Sequence, residues 1–515
     1  MKHLNYVLAT LTLAGCANSE KSPSLRLPKL ENSGKPLNIV FILSDDHRYD
    51  FMGFTGKVPW LKTPNMDRMA EGGAYIRNAF VSTSLSSPSR ASILTGLYAH
   101  SHQVVDNISP LPDGLIFFPQ YLQKAGYQTG FFGKWHMGNA GDPQPGFNHW
   151  EGFKGQGEYY NPRININGVW KQYEDSTYSV DLLTEHAIAY MKEQSKTGKP
   201  FFVYLSHKAV HESFLPAKRH KGYYAGNKIA LPESFYSPYY GIKQLPSIDT
   251  KTRKPAHGTK YYGEDMFPDW VKNQRESEHG VDYTYPDPSR SWTDGLIDYC
   301  ETLMSVDESI GSILNYLEEA GIDDNTLVIY MGDNGFAWGE HGLVDKRQFY
   351  EESVRIPMLI RCPGLFKGGQ ILEKMVQNVD IAPTILACAG LERAENMVGN
   401  SFIPLLQGKD IPWRDRIFYE YYWEHNYPMT PTMHGVRTER YKYIRYYGIW
   451  DTNEFYDLQE DPYETHNLIG APEHQEKIKE MNHALYDWLE STGGMYIPFK
   501  RTESPHIDHR NQGLY

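Results

Sequence analysis

The chain has 515 residues, of which 40% are hydrophobic and 22% are charged. This is an ordinary globular composition, and the length suffices for one large domain with a smaller one beside it. The formal net charge of -12 argues against nucleic acid or an anionic membrane surface as a partner, so an anionic substrate would need a local cationic pocket.

The first residues predict export. Residues 1–3 are polar and basic, residues 4–13 are mostly apolar but too short to span a bilayer, and small residues then lead to Cys16. This pattern is typical of a bacterial lipoprotein signal peptide, residues 1–16, with lipid on the Cys16 thiol. Ordinary secretion with an incidental cysteine is the alternative. Residues 17–35 are polar and predict a tether. We therefore expect an exported lipoprotein of the outer membrane or periplasm.

Short apolar runs alternate with helical periodicity between residues 36 and 400. The predicted strands are 37–43, 128–132, 201–205, 326–331 and 357–361, and 74–81 is extended. The predicted helices are 66–71, 88–95, 118–125, 180–193, 293–320 and 380–389. This alternation predicts an α/β domain, with a large, mostly parallel sheet between two layers of helices. The thiols of Cys362 and Cys388 lie in apolar runs, which favours buried small side chains.

Two regions depart from this pattern. Residues 213–290 are rich in Tyr, Pro, Lys, Asp and Gly, which predicts an insertion that shapes one wall of a pocket; a partly disordered loop is the alternative. Residues 401–515 predict a smaller C-terminal α+β subdomain with an antiparallel sheet. Its predicted strands are 416–421, 435–437, 441–446 and 454–456, followed by a helix over 472–491.

Polar residues follow four of the predicted strands. They are Ser-Asp-Asp-His at 44–47, Gly-Lys-Trp-His at 133–136, Ser-His-Lys-Ala-Val-His at 206–211 and Gly-Asp-Asn-Gly at 332–335. In an open parallel sheet, ligands bind outside the carboxyl ends of the strands. The sequence therefore predicts that these side chains converge at one edge of the sheet.

Two pairs of these residues offer only oxygen ligands: Asp45 with Asp46, and Asp333 with Asn334. Such a set suits a hard divalent cation, Ca2+ first and Mg2+ second, whereas zinc prefers His or Cys. A helix N-cap or a turn is the alternative for the first pair taken alone.

A hydroxyl and several cations are expected at the same edge. The run 86–90, Ser-Ser-Pro-Ser-Arg, places Ser86 and Arg90 where a helix begins, and this arrangement suits holding and attacking an anion. With Lys134 and Lys346, Arg90 would enclose an anionic tetrahedral group. His136 and His211 are candidate proton carriers. A structural role is the alternative for the neighbouring histidines His47 and His207.

These segments jointly resemble the signature motifs of the type I sulfatases, a family of the alkaline phosphatase superfamily, over residues 38–468. The matching segments are 45–46, 86–90 with 94–96, 133–138, 333–335, 339–343, 345–347, 437–443, 456–458 and 461–462. In this family the first residue of the 86–90 motif is oxidised to formylglycine, which implies a serine-type sulfatase-maturing enzyme as a partner. The resemblance implies the metal ligands Asp45, Asp46, Ser86, Asp333 and Asn334. It implies the catalytic residues Ser86, Arg90, Lys134, His136, His211 and Lys346.

The run 339–347 is similar to glucosamine-6-sulfatase-like and other carbohydrate sulfatases. The implied substrate is a sulfated polysaccharide or oligosaccharide, either a host glycosaminoglycan or an algal polymer such as ulvan. Subsite contacts are expected in divergent segments, including Tyr422, Trp423, His425 and His434. Two alternatives stay open: a phosphodiesterase or phosphonate hydrolase of the same superfold, and a non-catalytic glycan-binding lipoprotein with unmodified Ser86.

Overall fold

The computed structural model describes residues 36–498 apart from residue 139 and residues 236–247, 250–253, 256–266, 276–291 and 448–450. The predicted signal peptide, the Cys16 lipid site, the tether and most of the predicted insertion lie outside the described residues. Within them, none of the helices has both the length and the apolarity required to cross a bilayer.

The strands and helices follow in chain order. The strands are β1 Asn38–Ser44, β2 Ala74–Ile76, β3 Ala79–Phe80, β4 Gln128–Lys134, β5 His149–Phe153, β6 Arg163–Ile166, β7 Val169–Gln172, β8 Phe201–Ser206, β9 Ile248–Asp249, β10 Lys254–Pro255, β11 Thr326–Gly332, β12 Ala337–Trp338, β13 Val344–Asp345, β14 Met358–Arg361, β15 Gln370–Leu372, β16 Val376–Gln377, β17 Arg416–Tyr421, β18 Met433–Thr438, β19 Tyr441–Tyr446 and β20 Glu454–Asp457. The helices are α1 Pro64–Glu71, α2 Ser86–Thr95, α3 Ala99–His102, α4 Phe118–Lys124, α5 Ser179–Ser195, α6 Asp269–Gln274, α7 Trp292–Glu319, α8 Glu351–Val354, α9 Ile381–Cys388, α10 Ile403–Leu406 and α11 Gln475–Thr492.

Among the described residues, ten strands form the main sheet in the order β15-β2-β14-β11-β1-β8-β4-β5-β6-β7. Strands β11, β1, β8, β4 and β5 run parallel at its centre. The predicted mostly parallel α/β sheet is therefore confirmed. Strand β14, predicted over 357–361, instead pairs antiparallel with β11. Strands β5 to β7 and β15 were not predicted.

Helices cover both faces of this sheet. Phe41 and Leu43 of β1 pack in one apolar cluster with Leu94 of α2 and Ile385 of α9. Val40 and Ile42 of the same strand face a second cluster that contains residues of α5 and α7. Successive residues of a strand point to opposite faces, so a continuous run of apolar residues is buried on both sides. The Cys300, Cys362 and Cys388 thiols are free and buried.

The C-terminal part contains the predicted antiparallel sheet, in the order β17-β18-β19-β20. Helix α11 packs against it through an apolar cluster that includes Val436, Tyr443, Met481 and Leu485. The predicted helix over 472–491 begins as a 3-10 turn at Pro472–His474 and continues as α11. The boundary at residues 400 and 401 stays a prediction.

A buried ion-pair network holds the C-terminal sheet against the main domain. The ammonium of Lys442 on β19 lies 2.8 Å from Glu351 Oε1 of α8 and 2.6 Å from Glu464 Oε1. Arg437 Nε of β18 lies 3.0 Å from the same Glu351 oxygen. Arg437 and Lys442 belong to the 437–443 motif, so this part of the motif acts in domain attachment.

We expect Lys442→Met to lower the free energy of unfolding by about 3–5 kcal/mol, because buried Glu464 loses its cation and Glu351 keeps only its pairing with arginine. Denaturation by urea measures the loss. The matched control is Lys479→Met, since Lys479 pairs with Glu476 on the surface of α11 and an exposed pair contributes at most about 1 kcal/mol. Equal losses in the two variants would contradict a structural role for the network.

Candidate active site

The four central strands end side by side. Ser44 of β1 is in register with Gly332 of β11, and Leu43 of β1 with Ser206 of β8. On the other side of β8, Ser206 is in register with Gly133 of β4. The polar residues that follow β1, β4, β8 and β11 are therefore brought to one edge of the sheet.

Strand β4 can approach β8 closely only because residue 133 is a glycine. A side chain on Gly133 would place its Cβ 1.9 Å from the Ser206 carbonyl oxygen, and the φ of Gly133 is +116°. Its φ lies in the region that L side chains rarely adopt. This approach fixes the position of the next residue, Lys134.

Ser86 is the first residue of α2, two residues before the predicted start of this helix. Its hydroxyl donates to Asp45 Oδ1 at 3.4 Å. Four residues along the same helix, Arg90 directs its guanidinium to the same group of residues: Nε donates to Asp333 Oδ2 at 2.9 Å and Nη2 to Asp45 Oδ2 at 3.3 Å. One turn of helix thus places the hydroxyl and the guanidinium on one side. The positive end of the helix dipole adds to the attraction for an anion.

The predicted oxygen ligands lie together and are buried. The Asp46 amide donates to Asp333 Oδ1 at 3.2 Å, and Asn334 Nδ2 donates to Asp46 Oδ1 at 2.6 Å. The other amide atom, Asn334 Oδ1, is buried without a hydrogen-bond partner among the described residues. His211 joins this group, since ligand atoms of Asp45, Asp46 and His211 lie within 4.8 Å of one another.

Two lysines neutralise this acidic group. Lys134 Nζ donates to Asp45 Oδ2 and to Gln156 Oε1. Lys346 Nζ donates to both carboxylate oxygens of Asp46, at 2.5 and 2.7 Å. Every predicted site residue except His136 thus has a side-chain contact with another predicted site residue.

His211 and His136 lie at the outer side of the group. His211 Nε2 is 3.7 Å from Asp46 Oδ2, and 14% of its side chain is exposed, the largest value among the predicted site residues. His136 is contacted through its backbone, where its carbonyl accepts a hydrogen bond from Ser87 Oγ. Its Nδ1 is buried without a hydrogen-bond partner within the described ranges. A substrate would therefore enter from the side of His211.

Backbone strain is concentrated in the same place. Asp46, His136 and Asp345 have φ angles of 57°, 58° and 106°, and each is a site residue or adjoins one. Non-glycine residues in this region cost about 1–3 kcal/mol each and are found where the surrounding structure imposes them.

Burial and neighbouring charges shift the pKa values of the site residues. Burial favours the neutral form of Asp45, but Lys134 and Arg90 outweigh it and hold the pKa of this carboxyl well below its usual value. Burial, assisted by the charge of Arg90, lowers the pKa of Lys134 to about 8 despite the nearby Asp45. Burial and the neighbouring lysines lower the pKa of His136 and of His211 well below 6.5. Both histidines are therefore neutral at pH 7, the form that accepts a proton.

The structure separates the four candidate histidines. His207 Nε2 bonds to Ser309 Oγ of α7 at 2.9 Å, and the His47 ring bonds to the Tyr330 hydroxyl and the Phe51 carbonyl. Both are structural residues. Of the histidines in segment 206–211, only His211 contacts the carboxylate group.

Two contacts were not found by sequence analysis. Ser206 Oγ accepts from Arg90 Nη1 at 2.7 Å, and Gln156 accepts from Lys134. Ser206 directly follows a predicted strand and ends the observed β8, which is a usable signal. Gln156 follows β5, a strand that was not predicted, and nothing in the sequence pointed to it.

The residues expected to contact the substrate outside the catalytic group differ in burial. Tyr422 and His434 are buried, and the Tyr422 hydroxyl bonds to Glu420 Oε2 at 2.7 Å, so these two residues serve packing. The side chain of Trp423 is 46% exposed. It remains a candidate for contact with a substrate.

The donor set fits a hard divalent cation. Three buried carboxylates and one amide oxygen converge, and the Asn334 oxygen is unused among the described residues. Each carboxylate also offers about four lone-pair sites, so pairing with one lysine does not exhaust it. A hydroxyl at a helix start, clustered cations and an oxygen-rich donor set that fits a metal ion suit a hydrolase that acts on an anionic tetrahedral ester.

Comparisons with known proteins give the family. The sulfatase family model matches residues 37–391, and the model for the C-terminal part of N-sulphoglucosamine sulphohydrolase matches residues 339–491. The chain belongs to the sulfatase family, with the alkaline phosphatase superfamily fold, and hydrolyses sulfate esters.

Individual relatives agree with this assignment. The chain is 35% identical over 526 residues to the N-acetylglucosamine-6-O-sulfatase of Bacteroides thetaiotaomicron, covering 95% of this chain and 90% of the relative. It is 25% identical to the ulvan-active sulfatase of Formosa agariphila, over 95% of this chain and 86% of the relative. A solved structure of a protein in complex with its substrate, D-glucosamine-2-N,6-O-disulfate, matches this chain with a TM-score of 0.78 and 31% identity. The match covers 90% of this chain and all of the chain in that structure.

Proposed function

We propose that this protein is an exported carbohydrate sulfatase that removes the 6-O-sulfate of a glucosamine unit in a sulfated oligosaccharide or polysaccharide. The contact of Ser86 with Asp45, inside a ring of cations, carries the proposal that position 86 is the nucleophile. The sugar is supported by the N-acetylglucosamine-6-O-sulfatase relative, which matches over nearly the whole chain. A sulfated ulvan unit is the second candidate, because an ulvan-active sulfatase also matches nearly the whole chain.

Position 86 is proposed to act as formylglycine. The conversion removes two hydrogens from the Ser86 side chain, and a serine-type sulfatase-maturing enzyme carries out this two-electron oxidation with its own electron acceptor. The hydrated aldehyde supplies two hydroxyls on one carbon, one to attack sulfur and one to help expel sulfate afterwards. An unmodified serine hydroxyl is a much weaker nucleophile at neutral pH.

The metal is proposed to be Ca2+, with Mg2+ as the weaker alternative. Asp45, Asp46, Asp333, Asn334 and position 86 would hold it. When bound, the ion would neutralise charge on the sulfate oxygens as the ester bond breaks.

The side chains of the site divide the remaining tasks. Arg90 and Lys134 contact the carboxylate next to Ser86, so they are placed to stabilise negative charge at position 86. His136 has a ring nitrogen without a partner among the described residues, and it would take the proton that triggers release of sulfate. His211 and Lys346 meet at Asp46 on the entry side, where they would contact the sulfate and stabilise or protonate the leaving oxygen.

We expect His211→Ala to lower kcat about 10²- to 10⁴-fold at saturating calcium, the usual range for a lost acid–base group. Release of sulfate from N-acetylglucosamine 6-sulfate measures this. His207→Ala is the matched control: it removes a buried bond to Ser309 and should lower stability while keeping kcat within about threefold, since that ring faces α7. A large loss of kcat in the His207 variant alone would reverse the two assignments.

A screen of defined sulfated sugars tests the proposed function. Enzyme matured in a host with a serine-type maturing enzyme should release sulfate from glucosamine 6-sulfates, and phosphate and phosphonate esters of the same alcohols should react far more slowly. Faster phosphonate turnover would support a phosphonate hydrolase instead. Mass spectrometry of the Ser86 peptide completes the test, because intact serine together with binding but no turnover would identify a glycan-binding lipoprotein.

Export and lipidation at Cys16 are proposed from the first residues. An extracytoplasmic enzyme would meet polymeric glycans that do not enter the cell. Labelling with a fatty acid in the native host tests this point, and Cys16→Ser should release the protein from the membrane fraction.

A further inference from the structure

A second cleft lies between the main domain and the C-terminal sheet. Its walls are the segment 49–57, strand β2 with Arg77, the C-cap Arg355 that follows α8, and residues 458 and 462–463 of the C-terminal part. Its volume is about 620 Å³, within the range of about 300–1,000 Å³ of typical ligand pockets. We call it the distal cleft.

The distal cleft is cationic, although the protein carries a net charge of -12. Four cations and two carboxylates line it, and one of the cations, Arg77, pairs with Glu373 outside the cleft at 2.6 Å. The two carboxylates, Asp50 and Glu351, are already paired with arginines at 2.8 and 3.0 Å. Lys57 is exposed at the rim and lies beyond ion-pair distance of every carboxylate in the described part of the chain. The cleft therefore presents positive charge that its own acids do not cancel.

Aromatic rings accompany these cations. Lys57 Nζ lies 5.4 Å from the ring centre of Tyr463, and the guanidinium of Arg355 lies 4.2 Å from that of Tyr49. The side chains of Phe54 and Tyr463 are both 38% exposed. Rings offer apolar faces to the C–H groups of a sugar, while cations bind an anionic substituent on it. This combination fits an anionic saccharide better than a purely apolar ligand.

The distal cleft and the candidate active site share the chain segment that follows β1. Asp50, in one wall, is four residues after Asp46, and four residues span at most about 14 Å. Both groups lie beyond the carboxyl end of β1. One extended glycan chain could therefore reach the two places at once.

We propose that the distal cleft binds a second sulfated or carboxylated unit of the glycan whose sulfate ester lies at Ser86. The proposal rests on the carbohydrate substrate proposed above. The protein would then bind oligosaccharides in preference to single sugars, since a single sulfated sugar would occupy only the active site. The gain is in affinity, because two linked contacts bind more tightly than either alone.

The test compares a long and a short ligand. Calorimetry on full-length protein in a Ser86→Ala background, where nothing is hydrolysed, gives Kd values for heparin-derived and ulvan-derived tetrasaccharides and for N-acetylglucosamine 6-sulfate. The double change Lys57→Gln with Arg77→Gln should weaken binding of at least one tetrasaccharide roughly tenfold, as expected for two exposed ionic contacts. Binding of the monosaccharide should stay within about twofold, because it does not extend to the distal cleft.

A second variant separates stacking from charge. Tyr463→Ala keeps every cation and should also weaken tetrasaccharide binding, with less dependence of the loss on salt. Lys124→Gln is the matched control, because Lys124 also lies over a tyrosine ring, at 6.0 Å, but on α4. This control variant should change neither the Kd for the tetrasaccharides nor the Kd for the monosaccharide.

Three results would overturn the proposed role of the distal cleft. Tetrasaccharide binding could be unchanged in both cleft variants, or the tetrasaccharides and the monosaccharide could be weakened equally. In the Ser86→Ala protein with an unaltered cleft, the tetrasaccharides could also bind no more tightly than the monosaccharide. Failure of the proposed function looks different, since matured enzyme would then release no sulfate from any of these sugars.

Discussion

Replacing Ser86 by alanine is expected to abolish sulfate release, with a fall in kcat of at least about 10⁵-fold, the scale seen when a nucleophile is removed. Alanine cannot undergo the proposed conversion to formylglycine, and it would leave the proposed metal and the cations without an attacking oxygen. The fold should persist, because the Ser86 hydroxyl makes one hydrogen bond of 3.4 Å and such a bond contributes about 1 kcal/mol. Sulfate assays and thermal unfolding of the same preparation measure both effects.

Ser92→Ala is the matched control for this variant. Ser92 is buried in the same helix, and its hydroxyl bonds to Ser82 and His102, away from the carboxylates. It should keep activity within about threefold while losing about 1 kcal/mol of stability. Wild-type turnover by the Ser86 variant would mean that another group attacks the ester.

Removal of divalent metal is expected to lower the rate by about three orders of magnitude or more, and added calcium should restore it. The metal would supply several kcal/mol of charge stabilisation in the transition state, and without it the sulfate would face the three buried carboxylates of Asp45, Asp46 and Asp333. Dialysis against a chelator, followed by titration with Ca2+ and Mg2+, measures recovery. The midpoint of thermal unfolding should also rise with calcium, because an ion bound only to the folded state stabilises it by about 2.7 kcal/mol at 100 times Kd.

Asp46→Asn and Asp50→Asn form a matched pair for this experiment. Both carboxylates are buried and paired with a cation, but only Asp46 belongs to the oxygen donor set. The Asp46 variant should lose the thermal response to calcium, whereas the Asp50 variant should retain it. Full activity of metal-free enzyme, or the same calcium response in both variants, would refute the assignment of these oxygens.

Much of the fold follows from local patterns. The strands β1, β8 and β11 are short, strongly apolar runs, and β4 is a buried strand with two phenylalanines at its centre; each was predicted to within two residues of its observed ends. Helix α2 ends at Gly96, whose φ of 68° is a left-handed cap, as the sequence predicted. These elements depend on neighbouring residues, so a single sequence specifies them.

The strands that were missed have weaker local signals. Strand β7 is fully exposed, and β6 is only half buried, so neither forms an apolar run. Strand β14 was found, but its antiparallel pairing with β11 was not. The direction of a strand and the strands with which it pairs depend on how the chain returns across the sheet, and a local sequence pattern does not contain this information.

For the candidate site, the sequence by itself determined the residue types: hydroxyl, carboxylates, lysines and histidines after apolar runs, in motifs that identified the sulfatases. Only the tertiary structure decided which of them meet. Lys346 pairs with Asp46 across 300 positions of the chain, and His211 faces the carboxylates while His207, four residues earlier, faces α7. The physical reason is that these contacts are short-ranged in space, and only the packing of the sheet and its helices brings distant segments within that range.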